Sequence, residues 1–521
     1  MISLRAKMEK QKSGWIYGLA AVSISFLILQ TLFWYGFGAD QGFFSYCAWV
    51  WRQFGQKPYI DIFDQAYPGI FFIHYLIQAT LGESITAFRI FDLAWQTATA
   101  TMIYLVVASV FRNRLAGFLG AIFYAIYYIG LGPWNTGQRD GFFLLLYLLS
   151  FRLFIPRKEG RDIPHSALAG ILIGFAVLIK PVAALAALVF LLLSIKTTKS
   201  KFLSALAFAG GCCTPLIAVI FYYWRLGGLR DLYLSLFYFT SKVYVDYELI
   251  DRPTLLAGVF MIPSVRFHII ILLGAALLIP LRKRIAREKE SRLSWLLLIL
   301  LAAYAGYFSQ AKYFYYHQAP VWGTLCLMAG AGWALLIDFL NMRLAAFGKA
   351  KTAVFSAMLI LLSILTMDES NTIRLRKAFL LGPNKGRYIY PYHSACRHAA
   401  KYIELHSGPQ DKVQVWGGEA AVNFYARRKC PSRFPTTLNL IPFRPGPQYL
   451  AAIQRELGQE LLNSIRKDPP LYFIVSRNPY FYNEEVATAL IQDYPELWQL
   501  LETNYRHEKT IEVLEIYRLK K

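Results

Sequence analysis

The chain has 521 residues, 56% of them hydrophobic and 16% aromatic but only 17% charged, against about 25% charged in a soluble domain. Apolar runs near 20 residues recur along it, so composition excludes an ordinary soluble globular protein and points to a polytopic membrane protein. The formal net charge of +23 does not mark a nucleic-acid binder, because the Lys and Arg sit in short loops between apolar runs, as the positive-inside rule expects.

In chain order, a basic start, MISLRAKMEKQK, precedes an apolar run over about residues 14–36. That run is too long for a signal-peptide core and ends in bulky aromatics, so it reads as an uncleaved first helix behind a cytoplasmic N-terminus of residues 1–13. The first loop covers residues 37–85. After Asp40, QGFFSYCAWVWRQF puts Phe43, Cys47, Val50 and Phe54 on one helical face, with Gln41, Ser45 and Arg52 toward another. This predicts an amphipathic helix lying in the interface, its tryptophans at headgroup depth. A short apolar stretch after Pro68-Gly69 reads as a second surface helix. Between the two, Asp61 and Asp64 sit in a tight loop, where Asp61 reads as a cap or solvated loop charge. Asp40 stands where the first helix leaves the hydrocarbon, a costly place for a carboxylate unless it faces water or a partner.

Further helices are expected near 86–111, 115–132, 141–156, as a hairpin around Lys180-Pro181, and near 202–225, 265–281, 293–309, 318–340 and 352–367, about eleven spans in all. The positive-inside rule puts the Arg112/Arg114 loop, RKEGRD, KTTKSK, LRKRIAREKESR and NMRLAAFGKAK inside. Asp40, Asp64, Asp140, Lys180, Lys312 and His317 then all fall outside, although no side was chosen to place them there. From about residue 385 the composition changes. KVQVWGG, LYFIVS and TIEVLEIYRL read as strands, and SACRHAAKYIELH, EAAVNFYARR and QYLAAIQRELGQELLNSIRK as helices. Residues 385–521 are therefore an expected α/β domain on the non-cytoplasmic side, long enough for its own core. Its Cys396 and Cys430 would be free to form a disulfide in an oxidising compartment. The other four cysteines lie in or beside apolar segments, and none has metal-ligand spacing.

The odd residues carry the chemistry. Lys180 interrupts some 30 apolar residues, and Pro181 breaks the helix beside it. It reads either as a snorkelling lysine or as a cation aimed along the membrane surface. Gln138-Arg139-Asp140 is either a capping ion pair or a second external carboxylate. QAKYFYYHQAP brings Lys312, Tyr316 and His317 to another external junction, where an aromatic belt explains the tyrosines better than the cations. External carboxylates with external cations near lipid suit one reaction. A departing lipid phosphate needs cations, and an acceptor hydroxyl needs a carboxylate to take its proton.

These features resemble the GT-C superfamily of polyprenyl-phosphate-sugar-dependent glycosyltransferases, in particular its bacterial protein-mannosyltransferase-like and aminoarabinose-transferase-like families. PYIDIFDQAYPG, residues 58–69, matches the family loop most closely. GQRD ending at Asp140, VLIKPV with Lys180 and KYFYYHQAP follow in family order, so the resemblance covers roughly residues 14–340. It implies a polytopic helix bundle over residues 14–370 with interfacial helices in the first external loop, in the plasma or inner membrane of a bacterium. It implies inverting transfer of a sugar from a polyprenyl-phosphate donor to a glycan, lipid or protein acceptor on the non-cytoplasmic face. Asp40 is the implied general base, with Asp140 as its rival. Asp64 orders the loop or touches the sugar, and Arg139, Lys180, Lys312, Tyr316 and His317 are implied contacts of the lipid phosphate. A divalent metal fits some members, but this chain has Gln41 where they carry a second acid. A transporter or flippase of a lipid-linked sugar, or a non-catalytic envelope-assembly protein, are the rival readings.

Overall fold

The computed structural model describes residues 2–155, 162–245, 268–281, 287–310, 312, 314–343, 349–367, 369–442, 447–480 and 484–520. RKEGRD before Asp162, the stretch around Pro253, the start of the 265–281 helix, the first half of LRKRIAREKESR, residues 344–348 of NMRLAAFGKAK, and Ala311 and Tyr313 lie outside the described residues. Contacts divide the chain into two compact units. One comprises residues 1–34, 89–218 and 251–380, the other residues 35–88, 219–250 and 381–521.

The main helices, in chain order, are α1 (Ile2–Leu29), α2 (Ala39–Phe54), α3 (Pro68–Leu81), α4 (Ile85–Phe111), α5 (Arg114–Gly130), α6 (Arg139–Phe154), α7 (Asp162–Ile179), α8 (Ala184–Thr197), α9 (Lys201–Arg225), α10 (Ile269–Ala276), α11 (Arg287–Ser309), α12 (Ala319–Arg343), α13 (Lys349–Leu365), α14 (Glu369–Gly386), α15 (Pro391–His406), α16 (Ala421–Ala426) and α17 (Ala452–Lys467), with shorter helices between and after them. Every expected span has a helix in its place. Among the described residues, Trp15–Trp34, Ile85–Phe111, Asp162–Ile179, Lys201–Arg225, Arg292–Ser309 and Tyr315–Arg343 are long and apolar enough to cross a membrane. Others, such as Arg114–Gly130 and Ala350–Leu365, are apolar but shorter.

In the first unit, α5 is the hub, packed against α1 and α12. Asn113 starts it, its side-chain oxygen accepting the Ala116 N–H at 3.0 Å. Glycine lets α5 and α12 meet backbone to backbone. A Cβ at Gly330 would lie 2.3 Å from the Ala116 carbonyl and 2.5 Å from the Gly120 nitrogen.

The second unit holds a four-stranded sheet of β1 (Val413–Trp416), β2 (Tyr472–Ser476), β3 (Tyr505–Ile511) and β4 (Leu514–Leu519), in the order β1-β2-β4-β3. β1 and β2 run parallel, and β4 is antiparallel to both β2 and β3. Side chains alternate across it. Val413, Val415, Ile474 and Ile516 join Cys396 and Ile403 of α15 on one face. Trp416, Phe473 and Val475 join Leu461 and Ile465 of α17 on the other.

Two readings need correction, and the pairing left open between Cys396 and Cys430 has an answer. TIEVLEIYRL is not one strand but the end of β3, a turn and β4. Glu512 takes positive φ (54°) in that turn, a position that no glycine or asparagine announces. Cys396 and Cys430 are separate buried thiols, not a disulfide. Cys396 packs in an apolar cluster. Cys430 Sγ donates to Gln414 Oε1 at 3.1 Å, and burial pushes its thiol up to about 11. Finally, α2 does not turn a polar face to water. Gln41 and Ser45 are buried, and so is Trp49. The reason is cover on both sides. Ser45 Oγ lies 3.2 Å from His74 Nδ1 of α3, and at Gly42 a Cβ would come within 2.6 Å of the Ala421 Cβ in α16.

Candidate active site

In the first unit, the second-loop acid and the apolar-run lysine meet. Gly137, at φ 71°, turns the chain into α6, whose first turn carries Asp140. Lys180 is extended (φ −160°, ψ 129°) between the end of α7 and a 3₁₀ turn begun by Pro181. Proline there offers no N–H and its fixed φ suits the new turn, so the lysine marks a break rather than a helix interior. Lys180 Nζ donates to Asp140 Oδ2 at 2.6 Å, both side chains being at least nine-tenths buried. Asp140 Oδ1 is buried and accepts no hydrogen bond among the described residues.

The late junction joins them. Lys180 Nζ sits 5.4 Å from the centre of the Tyr316 ring, within cation–π range. Tyr316 and His317 pack edge to face at 4.5 Å. His317 is buried with neither ring nitrogen hydrogen-bonded among the described residues. Lys180, Arg139 and Lys312 all lie near enough for their charges to act on it. Lys312 is itself buried. The six sequence-expected residues of this unit thus form one cluster of three cations, a paired carboxylate, an aromatic ring and an imidazole without a hydrogen bond among the described residues. It has the charge and open polar atoms to receive an anion.

Sequence reading missed what holds this cluster. α4 carries a buried Arg89–Asp92 ion pair at 3.1 Å. Asp92 accepts from Tyr128 at 2.7 Å and Gln96 at 3.2 Å, and Tyr124 donates to Gln96 at 2.6 Å. Arg89 reaches Thr136 at 3.1 Å, and the Gly137 N–H donates to Tyr128 Oη at 2.7 Å. This network fixes the loop that delivers Arg139 and Asp140. The signal was present: opposite charges at i and i+3 inside an apolar run, FRIFD.

In the second unit, Asp40 lies in the first turn of α2, half-buried, and makes no hydrogen bond or ion pair among the described residues. Gln41, at the family's second acid, accepts the Gly38 N–H at 2.9 Å. Its oxygen is committed to starting the helix, so the residues here do not fit an acidic-pair metal site. Among the described residues no group of three or more His, Cys, Asp or Glu is placed to hold a metal. Asp64 is buried and accepts the Ala66 N–H at 2.6 Å, while Tyr59 Oη donates to the Ala66 carbonyl at 2.6 Å. Asp61 accepts the Lys57 N–H at 2.7 Å. Both loop aspartates therefore hold the PYIDIFDQAYPG loop in shape.

A polytopic helix bundle of this kind, with a buried carboxylate–cation cluster at its helix junctions and a small α/β domain, has the GT-C fold. Residues 64–224 match the family of dolichyl-phosphate-mannose-protein mannosyltransferases. That span includes Asp64, Arg139, Asp140 and Lys180. The structure resembles ArnT from Cupriavidus metallidurans bound to undecaprenyl phosphate, with TM-score 0.56, 12% identity, and coverage of 97% of this chain and 98% of that one. The apo form of the same protein gives 0.54 at 13% identity, with the same coverage. The oligosaccharyltransferase AglB from Archaeoglobus fulgidus, in complex with an inhibitory peptide and a dolichol-phosphate, gives 0.49 at 13% identity over 97% of this chain and 74% of that one. No curated protein matches the chain in sequence. The likeness to ArnT shows the fold that the chain shares with it, and the family match is confined to residues 64–224.

Proposed function

We propose that the protein transfers a sugar from a polyprenyl-phosphate donor to an acceptor on the non-cytoplasmic face, with inversion at the anomeric carbon. The observation that carries this reading is the buried Asp140–Lys180 pair, with Arg139 and Lys312 brought to the same His317. A lipid-phosphate leaving group gains negative charge as the bond to the sugar breaks. Preorganised cations in a low-dielectric site stabilise that charge without reorganising. Lys180, Arg139 and Lys312 supply them, and Tyr316 holds the lysine by its ring face.

Asp40 is the proposed general base. Asp140 serves less well, because its Oδ2 is already taken by the Lys180 ammonium. Asp40 has no such partner among the described residues. In the step, the acceptor hydroxyl gives its proton to Asp40 and its oxygen bonds to the anomeric carbon. The carbon–oxygen bond to phosphate breaks, and its electron pair leaves on the phosphate. No metal is needed to balance this.

The test is turnover of a polyprenyl-phosphate sugar by purified protein in proteoliposomes, read as free polyprenyl phosphate. Asp40→Asn is expected to cut release by about 10²–10³, the order of losing one well-placed catalytic group. Wild-type release from the variant sinks the assignment of the base. Movement of intact donor across the membrane without release favours a flippase.

A further inference from the structure

α12 runs from the His317 end to Asp338, 21 positions later, or about 30 Å of helix. There the first unit holds a cavity of about 1700 Å³. It lies between α1, α4, α5, α12 and α13 and is separate from the cluster described above. Its volume exceeds the roughly 300–1,000 Å³ typical of small-molecule pockets.

The cavity lining has parts of two different chemistries. Leu19, Val22, Phe118 and Ile360 form its apolar walls. Trp15 and Leu19 on its rim are 78% and 70% exposed, and α1 from Trp15 onward is apolar enough to cross a membrane. This wall is therefore open at the surface of an apolar helix. The lining is polar at the α4–α5 turn. Arg112 and Arg114 flank Asn113 where α4 turns into α5. Arg112 takes positive φ (49°) to make the turn, so the two arginines bracket the positive N-terminal end of α5. Asp338 is the acid in this part, and Asn113 Nδ2 donates to it at 2.9 Å. Two guanidiniums and a helix N-terminus outweigh one carboxylate, so an anion is favoured. A sugar or nucleotide would leave the long apolar walls uncovered. An anionic headgroup with a hydrocarbon tail covers both parts.

We propose that this groove binds an anionic phospholipid of the surrounding bilayer, with an acyl chain along the Leu19–Val22–Phe118–Ile360 wall and the phosphate on Arg112 and Arg114. The site is independent of the transferase reading. By the positive-inside rule it serves the cytoplasmic leaflet, where basic groups near the surface each add roughly a factor of five to binding of anionic lipid. The lipid wedges α1 against α4, α5 and α13 and so stiffens the entry of the chain into the membrane.

Native mass spectrometry of the full chain, delipidated and then offered defined lipids, tests this. Wild type is expected to retain phosphatidylglycerol over phosphatidylcholine by about tenfold or more. Arg112→Ala/Arg114→Ala removes that preference. Ala357→Trp, which fills the apolar wall and keeps both arginines, lowers retention of both lipids and decides the matter if the arginine variant fails to fold. Equal retention of the two phospholipids by wild type means ordinary boundary lipid and overturns the proposal. Glycerol phosphate binding as well as phosphatidylglycerol makes this a simple phosphate site, which overturns it too. So does polyprenyl phosphate binding more tightly than phosphatidylglycerol, because the groove would then hold the reaction's own carrier.

Discussion

Lys180 and Asp140 illustrate how a buried charge divides between stability and chemistry. Their separation of 2.6 Å with almost no solvent means that each neutralises the other. Lys180→Ala removes one partner and leaves the Asp140 carboxyl buried without the ammonium on Oδ2. Breaking a buried pair in this way typically costs about 3–5 kcal/mol. The lost cation should also slow transfer about 10²–10³-fold. The two effects separate in the double variant Lys180→Ala/Asp140→Asn. It is expected to recover most of the stability, since a neutral amide needs no counter-ion, and none of the rate. Thermal unfolding followed by tryptophan fluorescence, beside release of polyprenyl phosphate, reads both. If the double variant recovers the rate, Lys180 acts only by balancing Asp140.

Among the elements, α4 does the most positioning. Its Arg89–Asp92 pair is fully buried and braced by Gln96, Tyr124, Tyr128 and Thr136. Arg89→Leu strands Asp92 and frees the turn at Thr136–Gly137, so both stability and transfer are expected to fall. Arg89→Leu/Asp92→Leu removes both charges at similar volume and should unfold at a higher temperature than Arg89→Leu alone. A double variant less stable than the single would show that the pair contributes more than mutual neutralisation. Helix positions were legible in the sequence because apolar length survives any packing, and so were β1 and β2 as short buried strands, though not their parallel pairing. The cluster residues of the first unit were legible as charges where lipid should begin. The α4 network was missed although FRIFD carries its ion pair, because two opposite charges three positions apart vanish into a hydrophobic average. The burial of the polar face of α2 was not legible either. Ser45 and Gln41 look solvated until α3 and α16 are known to lie against them.

At the scale of the whole molecule, residues 381–521 are not self-contained. Residue count alone suggests a domain with its own core, yet one of its two apolar clusters is completed by Phe63 of the first loop and by Phe239 and Val243. The Phe63 N–H donates to the Arg433 carbonyl at 2.8 Å. The Cys430 N–H donates to Tyr46 Oη at 2.8 Å, and Arg427 donates to the Glu83 carbonyl at 2.6 Å. Arg427 also lies 5.4 Å over the Trp49 ring. Burying a phenylalanine contributes about 1.5–3 kcal/mol, so losing two removes roughly 3–6 kcal/mol from a small domain whose total stability is about 5–15 kcal/mol. The Cys430 amide at least is left buried without its acceptor, at a further cost of about 1–3 kcal/mol. A fragment of residues 385–521 expressed alone is therefore expected to unfold without a cooperative transition and to be cut quickly by protease, while the same region resists in the full chain. Joining residues 35–88 to it through a flexible linker should restore much of the protection, because that segment returns Phe63, Tyr46 and Glu83 together. Cooperative unfolding of the bare fragment at the temperature seen for that region in the full chain would show that the first loop only decorates a finished core. Residues 35–88 and 381–521 would then have to be explained as independent folding units, and the tight approach at Gly42 and Ala421 as docking after folding rather than part of it.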